Sequence, residues 1–195
     1  MTNIKTKSKV EEGRKYKTIV IDPPWKYEQG LSKSIYTRGS AEKVYPVMSN
    51  ENILNLPIES ISDKDCQLWL WTTNSHLPIA IECVKKWGFT YKTLATWVKS
   101  QFGLGYWLRG QTEHLILATK GKPRGKFKNT KHGVTGNNYS TFLVYAKRTK
   151  HSQKPEGSFV MIEDLSEEPR IELFSRHKRL GWDVWGNEVN SDIEL

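Results

Sequence analysis

The segment TIVIDPPW, residues 18–25, decides the fold of this 195-residue chain. Its β-branched run is typical of a strand buried inside a sheet. The strand must end at Asp22, because Pro23 and Pro24 cannot continue a ladder of backbone hydrogen bonds. Open α/β sheets bind their ligands at the carboxyl ends of their strands. We therefore expect Asp22 to lie in a functional site.

The rest of the chain alternates between strand and helix patterns. A helix is predicted to begin at Ser49, and a second to run from a Ser75 cap to Trp87, with Gly88 ending it. Strands are predicted at 17–22, 67–73, 91–99, 113–119, 141–146 and 170–174, and a further helix at 155–165. This order predicts an α/β fold with a mostly parallel sheet and helices on both faces.

Length and composition favour a single compact domain over residues 16–195, preceded by a flexible basic tail at 1–15. The tail has lysines but no apolar segment of the signal-peptide type, and no apolar run approaches membrane-spanning length. We therefore expect a cytoplasmic protein without a membrane partner. Cys66 and Cys83 belong to no cluster with metal-ligand spacing, so no metal is expected.

The formal net charge of +9 is concentrated in one stretch. No Asp or Glu occurs between His114 and Pro155, whereas ten basic residues do. Such a run can be a plain solvated face, but interleaved Gly, Asn, Ser and Thr favour a loop that follows phosphates. The residues predicted to bind nucleic acid are Lys120, Lys122, Arg124, Lys126, Lys128, Lys131, Lys147, Arg148 and Lys150.

Residues 22–25 combine the groups that methyl transfer to the amine of a nucleobase requires. The amine nitrogen shares its lone pair with the ring, so two acceptors must hold its N–H groups before the lone pair can attack. The Asp22 carboxylate can be one acceptor, and the Pro23 carbonyl, aimed by the rigid Pro23–Pro24 backbone, can be the other. Trp25 can cover the face of the base. Taken alone, the same tetrapeptide is also typical of a β-turn.

Blocks along the whole chain resemble the MT-A70 family of adenine-N6 methyltransferases. In family order they occupy 21–25, 45–49, 68–72, 87–89, 96–99, 103–109, 113–114, 151–155, 172–176 and 181–188, and together they cover roughly residues 17–190. The resemblance implies a Rossmann-like fold in which the catalytic block precedes the main cofactor block. It also implies S-adenosylmethionine as the methyl donor.

The resemblance further implies roles for individual residues. Asp22 is expected to contact both the target amine and the methionine end of the cofactor, and Lys154 the cofactor carboxylate. Tyr45 resembles an aromatic residue that packs on the target base, so the implied catalytic set is Asp22, Pro23, Pro24, Trp25 and Tyr45. Positions around the cofactor ribose match Arg176, Asn187 and Glu188. The implied cofactor site comprises Asp22, Lys154, Glu172, Phe174, Arg176, Asn187 and Glu188.

The expected function is methylation of the N6 amine of adenine in DNA, because no RNA-binding domain is appended. An adenine-N6 methyltransferase acting on RNA, and a non-catalytic nucleic-acid-binding subunit of a methyltransferase complex, remain alternatives. The expected partner is nucleic acid, bound by a monomer or homodimer that can also be part of a heteromer. The loop at 100–110 is a candidate pairing surface, and the Glu113–His114 pair is interpreted as structural.

Overall fold

The computed structural model describes residues 13–26, 47–103, 107–125, 139–143 and 154–195. Its strands are β1 (Tyr16–Ile21), β2 (Ser62–Thr73), β3 (Thr90–Val98), β4 (Thr112–Lys120), β5 (Phe142–Leu143), β6 (Arg170–Leu173) and β7 (Asp183–Trp185). They form one sheet in the order β5-β3-β4-β2-β1-β6-β7. Among these strands only β4 runs against its neighbours, pairing antiparallel with β2 and β3. The other four pairings are parallel, which confirms the predicted α/β fold.

The helices of the described residues are α1 (Asn50–Leu54), α2 (Ile58–Ile61), α3 (Leu77–Lys86) and α4 (Glu156–Leu165). As predicted, Ser49 caps α1: its hydroxyl accepts a hydrogen bond from the Asn52 backbone N–H at 3.1 Å. Gly88 follows the end of α3 with a φ of 79°, a conformation that favours glycine. In the part of the chain that the structure describes, no helix has the length and apolarity to cross a membrane.

The predicted Ser75 cap of α3 is wrong. Ser75 lies in a 3-10 turn, Asn74–His76, and α3 begins after it with no side-chain cap from the described residues. A serine cap bonds the backbone N–H two or three residues on, but the third residue after Ser75 is Pro78, which has no N–H. The Ser75 hydroxyl instead lies 3.2 Å from the Thr73 hydroxyl.

Alternate side chains of the central strands enter two separate cores, as the period of a strand requires. On β1, Ile19 and Ile21 pack in the core beneath α1, α2 and α3, whereas Val20 packs in the core beneath α4. The same division holds on β2 between Leu68 and Trp69. Helices therefore cover both faces of the sheet, as predicted.

Strand direction separates two edges of the sheet. We call the edge where β1, β2, β3 and β6 end the carboxyl edge. Asp22 lies there, beside Leu173 at the end of β6, whose carbonyl accepts from the Asp22 N–H at 3.5 Å. Because β4 is antiparallel, it begins at this edge, with Glu113 opposite Thr73, and ends at the opposite edge, with Lys120 opposite Cys66. The chain leaves β1 toward β2 on one side, while β6 lies on the other. The strand order therefore reverses direction at β1. Open α/β sheets form a binding crevice at such a point.

Candidate active site

The Asp-Pro-Pro-Trp segment forms a fixed loop at the carboxyl edge. The Trp25 N–H donates to the Pro23 carbonyl at 2.8 Å, and the Met48 N–H donates to the Pro24 carbonyl at 2.9 Å. A carbonyl oxygen has two lone pairs, so Pro23 keeps one for a further donor. The Trp25 indole is 5% exposed, donates to the Trp71 carbonyl at 3.1 Å and stacks on His76. Trp25 therefore anchors the loop, and its contact with a base stays a prediction.

Lys154 joins two carboxylates that come from distant parts of the chain. Its ammonium nitrogen lies 2.7 Å from Asp22 Oδ2 and 3.3 Å from Glu113 Oε2. The other Glu113 oxygen contacts the ammonium of Lys99. The side chain of Lys154 is only 8% exposed, and that of Glu113 14%. Asp22, Lys154, Glu113 and Lys99 thus form a line of alternating charges, which we call the ion-pair chain.

Burial and neighbouring charges set the protonation of the side chains in the ion-pair chain. Burial raises the pKa of Asp22, and the adjacent Lys154 ammonium opposes that increase. Burial lowers the pKa of Lys154, but the carboxylates of Asp22 and Glu113 outweigh it and leave the pKa of Lys154 raised. For Glu113, burial acts to raise the pKa, yet Lys154 and Lys99 together leave it lowered. Lys154 and Glu113 are therefore both charged at neutral pH.

Two tryptophans form the floor beneath the ammonium groups. Lys154 lies over the Trp71 ring at 5.3 Å, and Lys99 lies over the Trp97 ring at 5.2 Å. The two rings meet edge to face, with their centroids 6.3 Å apart. Cations over desolvated aromatic faces are stabilised by roughly 1–2 kcal/mol each. The packing of this floor therefore fixes where the charges of the ion-pair chain lie.

Glu113 is the site residue that sequence reasoning missed. The sequence indicates a structural role for the Glu113–His114 pair, and His114 fits that role. Its Nδ1 lies 3.1 Å from the Thr96 hydroxyl, its Nε2 contacts Asn74, and burial lowers its pKa. The Glu113 side chain instead contacts Lys154. Only the antiparallel direction of β4 brings its first residues to the carboxyl edge, and no local sequence pattern reveals that direction.

Four of the residues expected around the cofactor follow β6 and β7, the next strands of the sheet, and Glu172 lies within β6. Burial raises the pKa of Glu172 to about 7, although its Oε2 accepts a hydrogen bond from the Ser175 hydroxyl at 3.1 Å. Phe174 has a φ of 61° and packs edge-on against Trp185. Arg176 pairs with Glu188, Nε to Oε1, at 3.5 Å, and Asn187 beside it is exposed. The carboxyl edge thus brings together every described member of the expected cofactor set.

A second ion pair joins the start of α4 to the loop after β6. Arg179, in the loop after β6, donates through both terminal nitrogens to Glu156, with 3.0 Å between Nη2 and Oε2. Its guanidinium lies 3.9 Å over the Phe159 ring. Glu156 is the first residue of α4 and follows Lys154 by two positions. The pair therefore fixes the segment that carries Lys154 relative to the loop that carries Arg176.

The predicted nucleic-acid residues that the structure describes lie at the opposite edge from Asp22. The Lys120 ammonium contacts the Ser62 hydroxyl at 3.0 Å and Glu59 at 3.4 Å, and Lys122 and Arg124 follow it in the chain. The remaining members, Lys126, Lys128, Lys131, Lys147, Arg148 and Lys150, lie outside the described residues, as does Tyr45. The part that these residues take in binding stays a prediction.

Comparison with known proteins identifies the family. The sequence model of MT-A70 matches residues 16–188. The chain belongs to the MT-A70 family. Its expected Rossmann-like methyltransferase fold agrees with the seven-stranded, mostly parallel sheet. The MT-A70 chain is 32% identical to the type II methyltransferase M.MunI of a Mycoplasma species, over 93% of this chain and 82% of that protein.

More distant MT-A70 relatives come from animals and plants. The chain is 27% identical to the human N(6)-adenosine-methyltransferase catalytic subunit METTL3, over 90% of this chain and 28% of that protein. It is 25% identical to the N(6)-adenosine-methyltransferase MT-A70-like protein of Arabidopsis thaliana, over 88% of this chain and 23% of that protein. The chain therefore spans only about a quarter of these two relatives.

MT-A70 methyltransferases take their methyl group from S-adenosylmethionine. The charged groups at the carboxyl edge fit this molecule. Its amino acid end carries an ammonium and a carboxylate, and the crevice offers a carboxylate on Asp22 beside an ammonium on Lys154. Its ribose carries two hydroxyls, and the loops after β6 and β7 offer mixed donors and acceptors on Arg176 and Glu188.

Proposed function

We propose that this protein methylates the N6 amine of adenine in DNA, and that residues 16–195 form its single methyltransferase domain. The observation that carries the proposal is the contact between Asp22 and the buried Lys154 at the start of a rigid Pro-Pro loop. DNA is favoured over RNA by the relative M.MunI, which is 32% identical and of which the chain covers 82%.

The proposed reaction depends on how the target amine is held. One N–H of the adenine amine donates to the Asp22 carboxylate, whose Oδ2 is already bonded to Lys154. The second N–H donates to the Pro23 carbonyl, so the nitrogen lone pair turns toward the crevice. When bound, the cofactor supplies an electrophilic methyl group on its sulfonium sulfur. After transfer the amine proton becomes acidic, and the raised pKa of Asp22 suits its carboxylate to accept that proton.

Lys154 and the neighbouring loops orient the donor. An ammonium has three N–H groups, and two are used in the contacts with Asp22 and Glu113. The third can donate to the cofactor carboxylate. Glu188 and Asn187 accept from the ribose hydroxyls, and Arg176 holds Glu188 in place. Alignment of the methyl group with the amine supplies much of the rate enhancement in a transfer of this kind.

A methyl-transfer assay tests the proposal directly. Purified protein and radiolabelled S-adenosylmethionine are offered duplex DNA, single-stranded DNA and RNA of matched adenine content, and the labelled nucleoside is identified by mass spectrometry. We expect N6-methyladenine in DNA. Label on cytosine, or on no nucleic acid at all, would contradict the proposed chemistry.

RNA is the second candidate substrate, since the human relative of 27% identity is named an N(6)-adenosine-methyltransferase. In the same assay, label on RNA alone would replace DNA with RNA and leave the chemistry unchanged. A non-catalytic subunit is the third candidate. Calorimetric titration with S-adenosylmethionine separates it, because such a subunit would take up no cofactor with or without DNA.

A further inference from the structure

The connection between β3 and β4 carries large apolar side chains into solvent. Trp107 is fully exposed, Leu108 is 82% exposed, and Phe102 is 67% exposed. Trp107 also has a φ of 58°, a conformation that is uncommon for a bulky residue. Exposed apolar side chains that lie close together mark contact surfaces. Among the described residues, none covers the Trp107 side chain.

The connection is built as a hairpin that extends past the carboxyl edge. The backbone N–H of Lys99 donates to the Gln111 carbonyl at 2.8 Å, and the side-chain amide Nε2 of Gln111 donates to the Lys99 carbonyl at 2.9 Å. Farther out, the Gly103 N–H donates to the Gly110 carbonyl at 2.6 Å. We call the described residues 99–103 and 107–111 the β3–β4 hairpin. These bonds hold the two described segments of the hairpin together.

The base of the hairpin joins the candidate active site. Lys99, whose backbone closes the hairpin, contacts Glu113 through its ammonium. Glu113 contacts Lys154, and Lys154 contacts Asp22. The hairpin and Asp22 therefore share one edge of the sheet and are joined by one line of charged contacts.

The charge of the hairpin indicates what it contacts. Residues 99–112 include the two basic residues Lys99 and Arg109 and no acidic residue. The Arg109 Nε donates to the Gly103 carbonyl at 2.8 Å, which holds its guanidinium at the outer end of the hairpin. Lys99 is paired with Glu113, so Arg109 is the basic side chain that the hairpin offers to a ligand. An exposed aromatic ring two positions from an arginine complements a base stack beside a phosphate.

We infer that the β3–β4 hairpin binds the nucleic acid next to the target, with Trp107 occupying the position in the base stack that the target adenine vacates. This inference rests on the proposed function. An amine inside a duplex can reach Asp22 only after the base leaves the stack, and extrusion costs a few kcal/mol. An aromatic ring that fills the gap recovers stacking, and Arg109 binds a phosphate beside it.

The test compares Trp107→Ala with Tyr91→Ala in the full chain. Tyr91 is a second exposed aromatic residue, but it lies at the start of β3, at the opposite edge. The probe is a duplex that the wild-type protein methylates, with 2-aminopurine at the target position, whose fluorescence increases when the base leaves the stack. Loss of one stacking contact predicts about 5- to 100-fold weaker duplex binding by Trp107→Ala, with less fluorescence. Tyr91→Ala should behave as wild type.

Two further measurements separate a loss of stacking from damage to the fold or to a dimer. Cofactor affinity of Trp107→Ala should equal that of wild type, because the side chain is exposed and its loss leaves the fold intact. Single-stranded DNA has no gap to fill, so transfer to it should fall less than transfer to duplex. Equal duplex binding by both variants would overturn the inference. So would sedimentation showing that Trp107→Ala converts a dimer into a monomer, because the hairpin would then contact a second copy.

Failure of the inference and failure of the proposed function give different results. If the wild-type protein transfers no methyl group to DNA or RNA, the proposed function is wrong. If the wild type methylates duplex DNA and Trp107→Ala does so equally well, only the role of the hairpin is wrong.

Discussion

The ammonium of Lys154 lies 2.7 Å from the Asp22 carboxylate, although 132 positions separate the two residues in the chain. The same ammonium lies 3.3 Å from Glu113, a residue of the antiparallel strand. One buried cation thus holds the end of β1 and the start of β4 together, two residues before α4 begins. Removal of either carboxylate changes the net charge of the site around Lys154. Variants at Asp22 and Glu113 therefore test the arrangement.

Asp22→Asn should abolish methyl transfer while the protein stays folded. The amide has the size of the carboxylate but cannot carry its charge, and loss of a preorganised electrostatic contact lowers rates by about 100-fold or more. Lys154 keeps Glu113 as a partner, so no buried charge is left alone. Labelled transfer and circular dichroism measure the two effects. A variant with near-normal transfer would rule out the proposed role of Asp22.

Glu113→Gln should weaken cofactor binding more at high pH than at neutral pH. Asp22 and Glu113 raise the pKa of Lys154, so removal of one carboxylate lowers that pKa. A cofactor carboxylate needs the charged ammonium, so affinity is lost as the pH rises through the pKa. The variant should lose affinity at a lower pH than wild type when the titration is carried above the ordinary lysine pKa of about 10.4. Glu59→Gln, at the opposite edge, is the matched control. Parallel curves for Glu113→Gln and wild type would show that Glu113 does not act through Lys154.

Glu172→Gln should change how stability depends on pH. Burial raises the pKa of Glu172 to about 7 in the folded protein, whereas an unfolded chain has the ordinary lower value. The folded state therefore binds more protons than the unfolded state between those values, so this group's stabilising contribution is lost as the pH rises toward 7 and beyond. The full loss is on the order of 3 kcal/mol. Urea unfolding at pH 5, 6, 7 and 8 should show a flatter dependence for the variant. If the free energy of unfolding of the variant depends on pH as it does in wild type, a group other than Glu172 is responsible for that dependence.

Glu156→Gln and Arg179→Met should each raise the KM for S-adenosylmethionine, and the double variant should raise it little further. Both residues belong to one contact that fixes the Lys154 segment, so their effects are not additive. Steady-state kinetics of the four proteins measure the coupling. Lys178→Met removes a neighbouring exposed ion pair with Asp192 and serves as the control. Fully additive effects would show that the two side chains act separately.

Local sequence patterns predicted most of the elements but not how they meet. The strand before Asp22, the Ser49 cap and the Gly88 helix end depend on neighbouring residues, and each is found where predicted. The Ser75 cap failed for an equally local reason, the missing N–H of Pro78. The importance of Glu113 depends on the direction of β4, which is set by pairing with β2 and β3.

The sequence by itself determined the fold class, the family blocks and the loop that begins at Asp22. Hydrophobic period, proline geometry and capping act over a few residues, so they can be recognised in the linear sequence. Only the tertiary structure decided that Lys154 and Glu113 meet Asp22, that Trp25 anchors the loop, and that Lys120 lies at the opposite edge. These outcomes depend on strand order and strand direction. Both are fixed by burial of two apolar faces across the whole sheet, and no short stretch of sequence encodes them.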